Sequence, residues 1–502
     1  MKQQFTTDVL IACAGAAGLT LAVDLARRNV AFRLIDKLPS PFAGSRGKGI
    51  QPRSQEVFED LGVIDRIVAV GGTYPPQREY REDGSYEDSP IMGQHAATPD
   101  EPYLIPLMVP QFLTEAVLRE RLAEFGHRPH FGCELTAFEQ DAEGVTAQVK
   151  RVDGEQSVRA RYLVGTDGGK SYVRHALNIE FPGKTLGVRA VVADVRLEGL
   201  GIDAWHRFNE GSTEKQTSFC PLRGTDMFQV QAPIPLQGDI DLSPEAMTAW
   251  VAARTGRKDI VIREVLWGSA YDINARMADK YQVGRAFISG DAAHIHPPTG
   301  GQGLNTSLQD SYNLGWKLAA VINGAPEKLL ATYEEERRPI AAEMLGLSTK
   351  LLQAAGSRAG RRRGRETHQL DIGYPESSLS LNKPARSPER VMAGDRAPDA
   401  PVRGAAGQPT RLFKLFQGPH WTLLGNEVDR EAIAPRRDLH IHTVGVRGDI
   451  IDEGGLVRDA YGLSAGDWVL VRPDGYVGAI VSSGEIAVLG RYLDGVGIAP
   501  ID

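Results

Sequence analysis

The chain has 502 residues, 42% hydrophobic and 24% charged, with a formal net charge of −7. That length suits roughly two or three domains, the balance is that of a globular protein, and the weak negative charge argues against a nucleic-acid surface. Three cysteines, Cys13, Cys133 and Cys220, lie far apart and exclude a disulfide framework or zinc spacing; no apolar run of about 18 residues predicts a membrane span, and with no charged-then-apolar leader pattern a reducing cytoplasm is the expected setting.

Asp8–Ala12 reads as a buried strand. Leu19, Ala22, Val23, Leu25 and Ala26 then fall on one helical face, and Ala31–Asp36 is the next strand. A strand–helix–strand unit of this length binds dinucleotides. Its turn, Cys13-Ala14-Gly15-Ala16-Ala17-Gly18, keeps the second and third glycines of the G-x-G-x-x-G pattern and replaces the first by Cys13. Gly15 lets backbone approach a pyrophosphate, with Ala16 and Ala17 beside it, and Gly18 allows helix to pack on strand. Asp36, followed by Lys37, ends the second strand where a carboxylate accepts ribose hydroxyls. Cys13 leaves three readings open: a tolerated turn, a weakened cofactor site, or a reactive thiol.

Gly44–Ile50 is a glycine-rich basic loop in which Arg46 is placed to neutralise ligand charge, whereas Arg53 reads as surface solvation. Ser54–Gly62 reads as a helix with a glycine stop. Residues 72–101 read as loops and turns, and Gln111 opens a helix continuing through Leu122. Thr146–Lys150 and Ser157–Arg161 form a hairpin around Asp153-Gly154. A further strand, Tyr162–Gly165, runs into Asp167-Gly168-Gly169, with Asp167 either serving a nucleotide or acting as an ordinary turn residue.

Between about 185 and 280 the predicted elements are strands at Arg189–Leu197, Asp226–Ala232 and Ile260–Trp267, with a helix near Ala246–Ala253. This is a sheet inserted into the nucleotide domain. Phe219, Phe228 and Gln229 lie on or beside these strands, and alternation alone does not separate cavity from core for them. Arg285–Ser289 is a buried strand, followed by an acidic turn at Asp291, a Pro/Gly loop and a helix carrying Leu304, Leu308, Leu314 and Leu318. Such a helix N-terminus suits an anionic partner. His294 and His296, two apart on a Pro-rich loop, make a poor metal set, and no metal is expected.

Asn313–Gly324 and Leu329–Leu352 read as helices. The cluster Arg358, Arg361, Arg362, Arg363 and Arg365 reads as a solvated linker, and Asp371–Asp399 as a connector. Strands are expected at Arg411–Phe416, Trp421–Leu424 and Leu439–Val446, with a hairpin from Trp468 to Val477.

Three sites now stand in order: Gly15–Gly18 with Asp36, then Asp167-Gly168, then Gly290-Asp291 with Pro297-Pro298-x-Gly-Gly-x-Gly-x-Asn. Together they resemble the flavoprotein aromatic hydroxylases, single-component FAD-dependent monooxygenases of the phenol and polyketide hydroxylase type, over roughly residues 5–350. The resemblance implies a Rossmann-like α/β FAD-binding domain with an inserted β-sheet substrate domain that roofs the substrate pocket, with Phe219, Phe228 and Gln229 as candidate walls and His206 and Tyr271 as candidates to assist substrate deprotonation. Gly394-Asp395-Arg396-Ala397-Pro398 and Val471–Tyr476 resemble that family's thioredoxin-like C-terminal domain, here without cysteine. The implied domains are 1–184 and 281–355 for FAD, 185–280 for substrate, a linker at 356–391 and the C-terminal domain at 392–502. The implied FAD contacts are Gly15, Ala16, Ala17, Gly18, Asp36, Lys37, Arg46, Gln111, Asp167, Asp291, Pro298, Gly301, Gly303, Leu304 and Asn305, with Pro298 also facing substrate. The implied reaction is hydroxylation of a small aromatic or polycyclic substrate by dioxygen, through a flavin C4a-hydroperoxide, with NADH or NADPH as reductant. No nucleic acid or membrane partner is expected, and a homodimer is compatible with the sequence. Two rival readings stay open: a flavin oxidoreductase that transfers no oxygen, and a flavoprotein fold whose FAD site Cys13 has impaired. The Trp-x-Trp spacing of the flavin halogenases is absent.

Overall fold

β1 (Thr7–Ala12) pairs in parallel with β2 (Phe32–Ile35) across the helix α1 (Ala16–Arg27). Val9, Leu10 and Ile11 have no exposure, which is why this strand is a continuous apolar run rather than an alternating one. The computed structural model describes residues 5–501 apart from 92, 94–95, 210, 213, 355–363, 383–389 and 446–447. The expected strands Ser157–Arg161 and Tyr162–Gly165 are one strand, Gly154–Gly165. Its first half pairs antiparallel with Val145–Arg151, and its second half parallel with β1. Ala286–Ile288 then lies parallel beside it. The motif at 290–305 therefore leaves the carboxyl end of the same sheet as the Cys13 turn, where ligands of open α/β sheets bind.

An eight-stranded sheet takes most of its strands from the segment between the two parts of this unit in sequence. Its outer edge is Gln77–Tyr80 and Tyr86–Ser89, within a stretch expected to be loops. Tyr86–Ser89 is wholly exposed and polar, so it lacks the apolar alternation by which a strand is read, as edge strands often do. At the other end the two-residue strand His294–Ile295, from the motif itself, pairs with Arg276 and Met277.

Directly opposed residues of a sheet share a face. One row is Trp267–Asp194–Gln229–Cys220, the next Ser269–Val192–Gln231–Ser218, and Tyr271 lies opposite Ala190. This face meets the nucleotide unit: Asp194 accepts the Ser45 N–H at 2.7 Å, and Trp267 meets Phe42 edge-on at 5.3 Å. On the other face Ala193, Val195, Phe219, Phe228 and Val230 pack against Met247 and Val251 of the helix Pro244–Thr255. That helix starts as the sequence indicates, with the Ser243 side chain accepting the Ala246 N–H, and stops at Gly256 in the left-handed region.

The carboxyl-terminal unit is a second eight-stranded sheet with the helices Leu456–Tyr461 and Ile486–Gly495. The expected hairpin appears as Asp467–Val471 against Val477–Ser482. Leu412–Phe416, expected as strand, is a one-turn helix because the Asp399 carboxylate accepts the Phe413 N–H at 2.9 Å and caps it. One apolar cluster runs from Leu10 and Leu19 through Trp316 to Trp421, Trp468 and Leu493, so the two units share a core. Arg358, Arg361, Arg362 and Arg363 lie outside the described residues; Arg365 forms exposed ion pairs with Glu101 and Asp371. No helix among the described residues is long and apolar enough to cross a membrane.

Candidate active site

The dinucleotide turn is held by contacts the glycine spacing implies. A Cβ on Gly18 would overlap the Cys13 carbonyl oxygen and sit 2.8 Å from Thr166 Oγ1, so only glycine lets α1 pack here. A Cβ on Gly15 would meet only Glu115 Oε1, at 3.9 Å. Gly15 caps α1 without a side-chain hydrogen bond, and no acidic residue stands in its first turn. The N-terminal N–H groups and partial positive charge are thus presented to the cleft beside Ala16 and Ala17. Asp36 is buried: one oxygen accepts the Ala14 N–H at 2.8 Å and the Cys13 thiol at 3.4 Å, and the other accepts the Leu38 N–H at 2.8 Å. Lys37 beside it is exposed.

Cys13 takes φ = 91°, where a side chain is strained. Burial, then the charge of Asp36, pushes its thiol pKa far up, so it is not the reactive thiolate that one sequence reading allowed. The Cys13→Gly variant is therefore expected to gain about 1 kcal/mol of stability, strain relief exceeding the added chain entropy. It should keep or improve FAD affinity. Chemical unfolding and FAD titration check both, and a marked loss of affinity would show that the thiol matters.

Gln111 stands half-buried at the start of its helix, accepting the Gly47 N–H at 3.2 Å and donating to Glu115 at 2.8 Å. Glu115 was not singled out from sequence, although its i,i+4 spacing from Gln111 is a usable signal. Burial pushes its carboxyl up to about 7. Asp167 caps the short helix Tyr172–Ala176, accepting the Ser171 hydroxyl at 2.5 Å and the Val173 N–H at 3.1 Å. That is the ordinary turn role.

In the third motif Gly290 has φ = 66°, and a Cβ there would press on Ser307 and come 3.3 Å from Ala17 Cβ. The end of the motif strand and the first turn of α1 are thus in contact. Asp291 keeps solvent-accessible surface but is closely surrounded by protein, and that desolvation raises its carboxyl, opposed by the charges of His294 and Arg46. The helix Gly303–Ile322 begins without a side-chain cap or an acidic first turn, and a Cβ on Gly303 would meet nothing within 4 Å. Asn305 is a buried staple: it accepts the Gln51 N–H and donates to Gly49 and Gly301 carbonyls, each at 2.8 Å. Leu304 packs on Gly47, Pro298 is exposed, and Gly301 lies in the left-handed region.

Two uncapped helix N-termini, open glycines, one carboxylate and Arg46 form a donor set that fits a dinucleotide carrying a flavin ring. Residues 6–348 match the family described as the FAD binding domain, and 390–494 that described as the aromatic-ring hydroxylase C-terminal domain. The chain belongs to the FAD-dependent aromatic-ring hydroxylases. This hydroxylase is 41% identical over 483 residues to a flavin-dependent monooxygenase of Mycobacteroides abscessus, covering 95% of this chain and 98% of that one. It is 32% identical over 499 residues to a 12-dehydrotetracycline 5-monooxygenase/anhydrotetracycline 6-monooxygenase of Streptomyces rimosus subsp. rimosus, covering 94% of each. Its structure is similar to aklavinone-11 hydroxylase in complex with FAD and aklavinone, with TM-score 0.80, 26% identity and 98% and 99% of the two chains covered. The hydroxylase is an FAD-dependent aromatic monooxygenase, an oxidoreductase.

Several expected roles fall elsewhere in it. Phe219 and Phe228 sit in the packed core on the helix side of the inserted sheet, so they do not wall a chamber facing the flavin unit. Gln229 faces that unit but is buried, bonded to Ser45 and Lys48. His206 is held by Tyr80 at 2.9 Å and the Gly201 carbonyl at 2.7 Å, on the helix side. Tyr271 does face the flavin unit, and its hydroxyl has no hydrogen-bond partner among the described residues. Arg53, expected at the surface, is buried: it donates to Glu56 at 2.6 Å and to the Asp474 carbonyl at 2.7 Å, with Tyr476 beneath it at 4.7 Å. Arg46 is the exposed one, set between Phe42 and Trp267 at 5.2 and 5.7 Å.

Proposed function

We propose that the protein uses FAD, reduced by NADH or NADPH, to transfer one oxygen atom of dioxygen to an aromatic or polycyclic, polyketide-like substrate held beneath the inserted sheet. The observation that carries the reading is the approach of two helix N-termini to Gly290, where a Cβ would touch Ser307 of one and come 3.3 Å from Ala17 of the other, with Asp291 next in the chain and a largely polar sheet face turned toward the same unit. When bound, FAD supplies the two-electron store and the oxygen chemistry. The residues of the chain do the rest. The α1 terminus with Gly15, Ala16, Ala17 and Gly18 takes the pyrophosphate, Asp36 and Lys37 the adenosine end, and Asp291, Arg46 and Gln111 the middle. The Gly303 terminus, with Pro298, Gly301, Leu304 and Asn305 around it, faces the ring and favours the anion formed on reduction.

Substrate then lies against Ser218, Gln231, Ser269 and Tyr271. Burial raises the Tyr271 pKa, so this phenol stays protonated and donates to a substrate oxygen rather than accepting its proton. A polycyclic substrate agrees with the relative named for dehydrotetracycline and anhydrotetracycline and with the neighbour bound to aklavinone. The domain divisions at 184, 280, 355 and 391 are part of the same reading.

Turnover under heavy-isotope dioxygen is expected to place one labelled atom in the product. Unlabelled product would sink the hydroxylase reading in favour of a simple flavin oxidoreductase. Asp291→Ala is expected to purify largely without flavin while unfolding like the parent, and full flavin occupancy in that variant would refute the role given to Asp291.

A further inference from the structure

One lysine ties the segment 44–50 to the inserted sheet. Lys48 stands between Gly47, which packs on Leu304, and Gly49, whose carbonyl accepts Asn305 Nδ2 at 2.8 Å. Its Nζ lies over the Trp205 ring, 4.6 Å from the centroid, and donates to Gln229 Oε1. Gln229 Nε2 donates to the Ser45 carbonyl and, at 3.0 Å, to the Ser45 hydroxyl. Gln231 Nε2 donates to the same Gln229 Oε1 at 2.7 Å. We propose that Lys48 is a positioning residue for substrate. Through Gln229 it holds the Gln231 amide with its oxygen turned toward substrate, so that Gln231 accepts a substrate hydroxyl while Tyr271 donates to a substrate carbonyl, and the site selects fused aromatics that carry both groups.

The donor and acceptor inventory sets the direction. An ammonium only donates, and a backbone carbonyl only accepts. The ring face beside Nζ favours the charged lysine. Amide oxygen and nitrogen have nearly the same shape, so an amide in a neutral setting turns over easily. Gln229 is not in such a setting. Turned over, it would set its N–H groups against Lys48 and its oxygen against the Ser45 carbonyl. Its oxygen therefore faces Lys48, and Gln231, meeting that oxygen, offers its nitrogen. Gln231 Oε1 is left as an acceptor without a hydrogen-bond partner among the described residues. Gln231 lies two residues along the strand from Gln229, on the same face, opposite Val192 and Ser218. Tyr271 lies on that face too, opposite Ala190, and its hydroxyl is the matching donor. Both residues are half-buried. Two strand spacings and two residues separate them, roughly 12 Å between Cα atoms, which suits oxygens on separate rings of a fused system. The hydroxyls of Ser218 and Ser269 rotate to donate or accept, so they add contact without setting polarity.

The proposal rests on the monooxygenase reading above and deepens its substrate site. The experiment measures dissociation constants of the FAD-loaded protein for three probes: 2-hydroxyanthraquinone, 2-methoxyanthraquinone, which lacks the donor, and 2-hydroxyanthracene, which lacks the carbonyl. The wild type should bind the first about tenfold or more tighter than either of the others, because a site built to hydrogen-bond a group rejects the analogue without it. Lys48→Met releases both amides to turn over. Its preference for hydroxyl over methoxy should fall toward one, while the preference for quinone over anthracene, owed to Tyr271, stays. Lys48→Arg, again a donor only, should keep both preferences, and Tyr271→Phe should lose only the second. A lysine that served structure alone would weaken all three probes alike on replacement. Where Lys48→Met does not fold, Gln231→Leu should show the same loss of the hydroxyl preference. A wild type that binds none of the probes, or all three alike, overturns the proposal, and so does a Lys48→Met or Gln231→Leu variant that keeps the hydroxyl preference. A chain that takes up no FAD defeats the monooxygenase reading itself, whereas an FAD-loaded chain indifferent to the three probes defeats only this proposal.

Discussion

Arg472→Met is expected to cost the fold about 3–5 kcal/mol, the usual loss when one member of a buried ion cluster is removed. Arg472 clamps Glu336 through two bonds of 2.6 and 2.9 Å and Asp474 through two of 2.9 and 2.6 Å. Lys317 and Asn313 reach Glu336 at 2.7 Å, and Trp316 donates to Asp474 at 2.9 Å. Glu336 and Lys317 have no exposure, and Asp474 has 1%. Without the guanidinium, two buried carboxylates share one ammonium. The contrast is Arg66 with Glu124, a pair that is 34% and 44% exposed, where Arg66→Ala should change stability by less than about 1 kcal/mol. Denaturant unfolding of both variants checks the difference. The pH dependence has a definite sign. Burial opposes ionisation of Glu336, but Arg472 and Lys317 override it and hold its pKa below the usual carboxylate range. Its contribution is therefore complete above about pH 5 and is lost progressively as pH falls through and below the unfolded carboxyl's range.

Gly18→Ala is expected to weaken FAD binding at least tenfold and to cost about 1–3 kcal/mol of stability through overpacking. The added methyl group would overlap the Cys13 carbonyl, a backbone atom that cannot swing away, so α1 must lift off the sheet. Gly303→Ala is the informative partner. A Cβ there meets nothing within 4 Å, so its unfolding midpoint should match the parent while FAD titration weakens, because the proposed ring position lies against it. Equal FAD affinity in Gly303→Ala would contradict the placement of the ring.

These contrasts show what the sequence could carry. The Gly15–Gly18 turn, Asp36 and the 290–305 motif are local patterns, and each sits on the elements its spacing implied. The orientation of the inserted sheet is not local. Alternation in Phe228–Ile234 marks two faces but carries no sign saying which one meets the flavin unit; the partner helix Pro244–Thr255 decides that, and it took Phe219 and Phe228. Arg53 was misread because its burial comes from Asp474 and Tyr476 in the carboxyl-terminal unit, far along the chain. Cys13 was legible as a departure, but only the backbone angle shows that its effect is strain rather than reactivity.

The two-residue strand His294–Ile295 gives this architecture a mechanical property. Its hydrogen bonds to Arg276 and Met277 splice the loop before Pro297 onto the end of the long strand Val261–Met277. The motif loop and the inserted sheet are thus joined at one corner. A displacement of the sheet there pulls on the loop by the same lever, and the force returns along it when the loop shifts.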